Sequence, residues 1–261
     1  MNKKEQIKIL IDLLLEEMPE YKNEYMRDLD NGLSQRNVLR SLMNLRPPMP
    51  LKDEFLLLQD RLLWNETVEK GIVTIEQITE RTPEGIYLWQ GDITRLATDG
   101  IVNAANEELL GCFHPCHDCI DNVIHSSAGL QLRDACNKIL LLQGKEEAVG
   151  NAKITSAYNL PCKYVIHTVG PNIGKKEVTE KDCTDLKNCY RSCLKSADKN
   201  QLSSLAFCCI STGEFHFPNE LAAKIAIESV KEYLAETNAT IKIVFNVFQE
   251  KDYRIYKKLL F

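Results

Sequence analysis

The chain contains no apolar run approaching the roughly 20 residues that a bilayer-spanning helix needs. Nor does it carry an excess of positive charge. Its 32 Lys and Arg stand against 37 Asp and Glu, a formal net charge of -5. That balance argues against nucleic-acid binding through a bulk positive field. No internal repeat and no low-complexity segment is present. The first residues, MNKKEQIKILIDLLLEEMPE, place basic residues before an apolar patch, but acids interrupt the patch and no small-residue cleavage site comes after it. The expected location is cytoplasmic, with neither membrane nor nucleic acid as a partner.

At 261 residues the chain has room for one large domain, or for one of ordinary size with an appendage. Ten cysteines would suggest a disulfide framework in a short secreted protein. In a chain with a core this large and a reducing location, clustered cysteines point to metal ligation instead. Cys162, Cys208 and Cys209 lie in or beside apolar strands, where free cysteine is a common core residue. Cys183, Cys189 and Cys193 fall on one helical stretch at spacings that do not bring all three to one face.

Two halves differ in pattern. Residues 3–18 place Ile7, Leu10, Leu13 and Leu14 among charges, and residues 34–45 place Val38, Leu39, Leu42 and Leu45 on one side with Ser34 as a candidate cap. Arg46-Pro47-Pro48-Met49-Pro50 then breaks the helical pattern, and a further helix is expected over 51–67. These helices carry nothing that reads as chemistry. Residues 1–69 are therefore expected to form a helical extension packed on the core of the chain, with a partner-binding surface as the alternative. From residue 70 to 261 strand and helix alternate. Strands are expected at 72–75, 85–90, 100–103, 163–169, 204–210 and 242–248, and helices at 121–142, 184–199 and 219–237. The class is α/β, with helices on both faces of a parallel or mixed sheet. Ligands of such sheets bind beyond the carboxyl ends of the strands, where the loops 103–119, 170–174 and 211–217 fall.

Two of these loops carry chemistry. Cys112, His114, Cys116, His117 and Cys119 lie within eight residues around a proline, a density of soft and imidazole ligands that core packing does not explain and a bound metal does. Cys116 and Cys119 also have the spacing of a redox pair, but the neighbouring histidines favour metal. Ser211-Thr212-Gly213, between a buried strand and a helix opened by Pro218, offers hydroxyls and close backbone N–H groups suited to an anion such as phosphate, although it also suits a plain turn. His167 and His125 read as packed or hydrogen-bonded core residues.

Five motifs in order, Gly91-Asp92-Ile93-Thr94, Val102-Asn103-Ala104-Ala105-Asn106, Ile124-His125-Ser126-Ser127-Ala128-Gly129, His167-Thr168-Val169-Gly170-Pro171 and Ser211-Thr212-Gly213, resemble those of macrodomains. The resemblance covers 70–261 and implies a three-layer α/β/α sandwich with a mixed sheet, binding ADP-ribose. Where catalytic macrodomains commonly carry a glycine-rich run, this chain has Cys112 to Cys119. With the helical extension and Leu45-Arg46-Pro47-Pro48, that replacement resembles the microbial zinc-containing subgroup, whose members remove mono-ADP-ribose from proteins. Some are encoded beside a sirtuin-type transferase and a lipoylated carrier protein, so such a target is the expectation here.

The resemblance implies one zinc ion held by Cys112, His117 and Cys119, with an open fourth position. A closed structural site using Cys116 or His114 is the alternative. It further implies that Asp92 and the Ile93 backbone meet the adenine, with Phe248 as an aromatic wall. Backbone N–H groups from Ser211 through Thr212, Gly213 and Glu214 to Phe215, with the loop near Ile120, would cradle the diphosphate. Asn106 would orient the distal ribose and Asn103 would hold the strand-end turn. Asp121 is either a residue that positions or deprotonates water or simply a helix cap. An open zinc position can activate water or polarise a substrate oxygen. The three functions in view are a zinc-dependent hydrolase of O-linked or ester-linked mono-ADP-ribose, a non-catalytic ADP-ribose reader with structural zinc, and an O-acetyl-ADP-ribose deacetylase. Deleting residues 1–69 should bare the apolar helix faces and give insoluble protein; a soluble, active fragment beginning at residue 70 would overturn the packing role.

Overall fold

The computed structural model describes residues 1–30 and 32–261. Strands β1 (Ile86–Gln90), β2 (Gly100–Ala105), β3 (Ala152–Ser156), β4 (Tyr164–Val169), β5 (Ser204–Phe207) and β6 (Lys242–Val247) form one sheet in the order β1-β6-β5-β2-β4-β3. Every neighbouring pair is parallel except β3 with β4, which makes the sheet mixed. The composition explains the placing. Leu205, Ala206, Phe207, Ile243, Val244 and Phe245 are all buried, as continuous apolar runs must be when both faces of a parallel strand are covered. The more polar β3 takes the edge, where only one neighbour is needed.

Helices α5 (Ile120–Ala128) and α6 (Leu130–Gln143) lie against β2 and β3. Helices α7 (Glu180–Lys199), α8 (Asn219–Thr237) and α9 (Glu250–Leu260) cover the other face, α7 on β3 and β4 and α9 on β1 and β6. The three-layer α/β/α architecture expected from the sequence is the one observed. Between sheet and helices runs an aromatic chain: Tyr190 meets Phe207 at 5.1 Å between ring centroids, Phe207 meets Phe245 at 6.3 Å, and Phe245 meets Tyr256 at 5.1 Å.

The preceding residues form α1 (Lys3–Glu17), α2 (Lys22–Asp30), α3 (Gln35–Leu45) and α4 (Asp53–Lys70). Asn2 and Glu5 close a capping box on α1, and Ser34 accepts from the Asn37 N–H, as its position before the periodic residues suggested. Leu10, Leu14, Leu39, Leu42, Leu62 and Leu63 of these helices bury one another in a second apolar cluster that also takes in Leu130 of α6. Gln59 of α4 ties the two parts together, its Oε1 accepting the Leu130 N–H at 2.8 Å and its Nε2 reaching Gln131 at 2.7 Å. Among the described residues no helix is long and apolar enough to cross a membrane.

Several elements differ from the sequence expectation. The single helix over 121–142 is two, because Gly129 adopts φ 98°, and a Cβ there would lie 2.7 Å from the Gln59 amide. The segment 72–75 is an isolated bridge from Val73 to Leu96 followed by a short 3-10 turn over Ile75–Gln77, and β5 ends at Phe207 instead of 210. The half-exposed edge strand β3 and the charged helices α2 and α9 were not anticipated. Phe207→Ala, which empties the centre of the aromatic chain, should cost about 3–5 kcal/mol in urea unfolding; a loss under about 1 kcal/mol would show that the chain is not the packing centre.

Candidate functional site

Parallel pairing brings the carboxyl ends of β1, β6, β5, β2 and β4 to one rim. From that rim rise the segments that begin at Gly91, Phe248, Cys208, Asn106 and Gly170. Residues far apart in the chain therefore share one mouth.

The soft-ligand cluster lies in the irregular segment between β2 and α5. The Cys112 Sγ, a ring nitrogen of His117 and the Cys119 Sγ all lie within 4.8 Å of one another. The Cys112 Sγ faces the His117 Nδ1 at 3.6 Å, and the His117 Nε2 points the other way, 3.8 Å from the Glu214 carboxylate. Burial, with the nearby Cys112 and Asp121, pushes the Cys119 thiol up to about 12. Two thiols and an imidazole gathered in this way fit a dication, whose charge stabilises the thiolates. Cys116 and His114 stand outside the trio. The Cys116 Sγ turns to α3, 3.3 Å from the Asn37 carbonyl and 3.3 Å from the Ser41 hydroxyl, while His114 is exposed and meets His117 edge-on. Neither supplies a fourth ligand in this arrangement.

Behind the trio lies a buried polar group. Asp121 is not a helix cap: the α5 N-cap is Cys119, and the Asp121 carboxylate turns inward. It accepts from the Asn103 Nδ2 at 2.8 Å and lies 3.5 Å from the His125 Nε2. Burial raises its pKa to about 6, against the Asn103 hydrogen bond and the Arg133 charge, which lower it. His167 is held on both ring nitrogens, Nδ1 by Asn103 at 3.2 Å and Nε2 by Thr155 at 3.0 Å, and burial lowers its pKa to about 3. It is a neutral core residue, as its sequence setting suggested. His125, Cys136 and His167 also come together, but those bonds already occupy the His167 nitrogens. Cys183, Cys189 and Cys193 form no such group among the described residues. All ten cysteines are free thiols.

The loop after β5 carries the anion-suited features. Ser211 is buried at φ 64°, its hydroxyl crossing over the Cα of Gly170, where a Cβ would lie 2.0 Å away. The Ser211 carbonyl accepts the Phe217 N–H at 2.9 Å, and the Thr212 hydroxyl donates to the Cys209 carbonyl at 3.0 Å, which closes the loop on itself. The Phe215 carbonyl accepts from Ile173 at 2.9 Å, tying this loop to the one after β4. Among the described residues the N–H groups of Gly213, Glu214 and Phe215 have no protein acceptor and are available to an anion. Asn106, at the end of β2, has a buried Oδ1 without a partner. Ile120 opens α5 directly after Cys119.

At the far end of the mouth, the Asp92 Oδ1 accepts from the Thr94 N–H at 3.0 Å and from its hydroxyl at 2.6 Å, while Oδ2 lies 3.7 Å from the Lys70 ammonium. The Ile93 side chain is buried, so only its backbone can meet a ligand. Phe248, after β6, is 75 % exposed, an aromatic ring held out at the rim.

The family model described as "Macro domain" matches residues 102–226. A "Protein-ADP-ribose hydrolase" of Treponema medium is 49% identical over 263 residues, covering 100% of both chains. A "Probable bifunctional ADP-ribose hydrolase/ADP-ribosyltransferase" of Fusarium oxysporum f. sp. cubense is 36% identical, covering 94% of this chain and 44% of its own. The Trypanosoma brucei macrodomain solved in complex with ADP-ribose superimposes with a TM-score of 0.66 at 30% identity, covering 85% of this chain and 95% of its own. The chain belongs to the macro domain family.

In this macrodomain the strand ends and the segments that leave them carry Asp92, Ile93, Asn106, Ile120, the loop from Ser211 to Phe215, Phe248 and the cysteine–histidine trio, whereas Asn103 and Asp121 are buried beneath them. Sequence reading missed the side chains that hold them. Asn122 donates to the carbonyls of Cys112 at 3.2 Å and His114 at 2.9 Å. Arg133 of α6, buried, donates to Leu110 at 2.6 Å and to the carbonyls of Met43, Asn44 and Arg46, and stacks over Phe113. Arg133 stands among the apolar Leu130, Leu132 and Cys136 on α6, which is a signal in the sequence; Asn122 lies on a face of α5 already polar with Asp121, His125 and Ser126 and gave none. Gly170→Ala should force the Ser211 hydroxyl out of place and cost about 1–3 kcal/mol in urea unfolding; unchanged stability would mean that the Gly170–Ser211 approach is not a constraint.

Proposed function

We propose that this macrodomain is a hydrolase that removes mono-ADP-ribose from O-linked or ester-linked protein side chains. The observation that carries the reading is the convergence of Cys112, His117 and Cys119 in the segment between Asn106 and Asp121, with no fourth His, Cys, Asp or Glu joining the trio among the described residues. A closed structural site would need Cys116 or His114, and Cys116 is engaged by α3. The chain is read as an extension over 1–69 and a macrodomain over 70–261, working in a reducing compartment, the cytoplasm.

The bound nucleotide is read along the mouth. The Asp92 Oδ2, which faces the Lys70 ammonium at 3.7 Å, accepts from the adenine amine, the Ile93 backbone lies beside it, and the exposed Phe248 ring stacks on the base. The N–H groups of Gly213, Glu214 and Phe215, with the α5 start at Ile120, receive the diphosphate, while the Ser211 carbonyl and the Thr212 hydroxyl close the loop that presents them. Asn106 binds the distal ribose through its side-chain amide, and Asn103 keeps the strand end and Asp121 in register. Asp121 is the group proposed to position and deprotonate water. Cys112, His117 and Cys119 would hold one zinc ion, which when bound supplies Lewis-acid polarisation at the distal ribose. Full-length similarity to a relative named protein-ADP-ribose hydrolase supports the hydrolase reading, and partial similarity to one whose name also includes ADP-ribosyltransferase supports pairing with a transferase. A sirtuin-type transferase with a lipoylated carrier protein as target is the proposal for that pair.

About one zinc per chain is expected in the purified protein, with release of ADP-ribose from a mono-ADP-ribosylated protein that stops on chelation and returns with zinc. Cys112→Ala should lower turnover by roughly 100-fold or more, the scale of losing a catalytic group. Its ADP-ribose affinity should stay within about threefold of the parent, a change under about 1 kcal/mol. Zinc present with tight ADP-ribose binding and no release would make the protein a reader instead.

A further inference from the structure

The segment bearing Cys112, His117 and Cys119 has almost no regular structure of its own, and its backbone is held from outside the sandwich by one face of α3. The Arg40 Nη2 donates to the His117 carbonyl at 2.7 Å and to the Asn122 Oδ1 at 2.9 Å. Asn122 in turn donates to the carbonyls of Cys112 and His114, so one guanidinium fixes the side chain that fixes two further turns of the loop. Four residues along the helix, the buried Asn44 accepts the Cys116 N–H at 3.0 Å and donates to the Ser126 hydroxyl at 3.0 Å. Cys116 sits at φ 52°, a left-handed conformation unfavourable for a side chain other than glycine, and the Asn44 contact holds it there. Both positions belong to the helical extension, which brings no metal ligand.

We infer that Arg40 and Asn44 are positioning residues for the ligand loop, so that helix α3 sets how tightly the loop holds zinc. The inference rests on the reading of Cys112, His117 and Cys119 as zinc ligands. Its physical basis is preorganisation. A loop whose carbonyls and amides are already bonded loses little conformational freedom when a metal arrives, whereas a free loop must be ordered at the metal's expense. Arg40 is suited to this because its planar fork reaches a carbonyl and an amide oxygen together, a pairing that lysine's single ammonium does not reproduce. Outer contacts of this kind typically change metal affinity by about 10–100-fold.

The test uses the full chain and zinc itself. Zinc affinity is measured by competition with a chromogenic chelator in the parent, Arg40→Met, Arg40→Lys, Asn44→Ala and Arg36→Ala. Arg36 lies one turn earlier on α3 and pairs with Glu66 of α4 at 2.8 Å, away from the loop. Melting temperatures of the zinc-stripped proteins are recorded alongside. Arg40→Met and Asn44→Ala should weaken zinc binding about tenfold or more, Arg40→Lys by less, and Arg36→Ala by under about twofold. The zinc-stripped melting temperatures of Arg40→Met and Arg36→Ala should fall alike. Zinc affinity within about twofold of the parent in both Arg40→Met and Asn44→Ala would overturn the inference, as would an equal loss in Arg36→Ala. Should Arg40→Met fail to fold, Arg40→Lys and Asn44→Ala decide the matter. A parent chain that binds no zinc would instead defeat the metal reading on which the inference rests.

Discussion

The parallel register of β1, β6, β5, β2 and β4 is the constraint on which everything else depends. A parallel strand has its neighbour's carboxyl end beside its own, so each crossover helix returns the chain to the same starting edge. The segments leaving the sheet after β1, β2, β4, β5 and β6 are therefore gathered along one rim. Burial of Phe207, Phe245, Ile101 and Val165 on both faces of the sheet holds that register, and through it the separation of Asp92, Asn106 and the loop of Ser211.

The rim's least regular segment, between Asn106 and Cys119, is held by side chains. Asn122 and Arg133 answer carbonyls that would otherwise be left without donors in a poorly hydrated place. An orphaned buried polar group costs about 1–3 kcal/mol. The arrangement couples the loop to α3, α5 and α6 at once. It also explains why an arginine tolerates near-complete burial: each of its carbonyl contacts offsets part of the cost of removing its charge from water, a cost large enough to bring its pKa down to about 10. The cysteines of the loop stand in contrast to the buried ones, while Cys183 and Cys209 are also half-exposed. Cys136, Cys189, Cys193 and Cys208 are buried and packed as small apolar residues, whereas Cys112, Cys116 and Cys119 remain half-exposed.

Much of this could be read beforehand, and the residues show why. Helix α8 matched its expected span at both ends, because Pro218 and a long amphipathic run mark it locally. The break between α5 and α6 escaped notice because the apolar period runs across Gly129, and only its approach to Gln59, distant in the chain, demands a glycine. Strand β3 escaped because an edge strand buries few residues and shows little pattern. Asp121 was placed correctly at the start of its helix, but its inward turn toward Asn103 depends on the neighbouring strand.

The sequence by itself determined the class of the fold, the order of the motifs and the density of cysteine and histidine between β2 and α5, because these arise from local periodicity and composition. Composition and spacing left all five candidate ligands open, and the family resemblance implied Cys112, His117 and Cys119. The tertiary structure is what brings those three together and leaves Cys116 and His114 outside. That choice depends on where α3 lies, since Asn37 and Ser41 draw the Cys116 thiol away from the trio. Contacts spanning more than 70 residues leave no periodic trace in the chain, and they appear only when packing has brought two helices and a loop together.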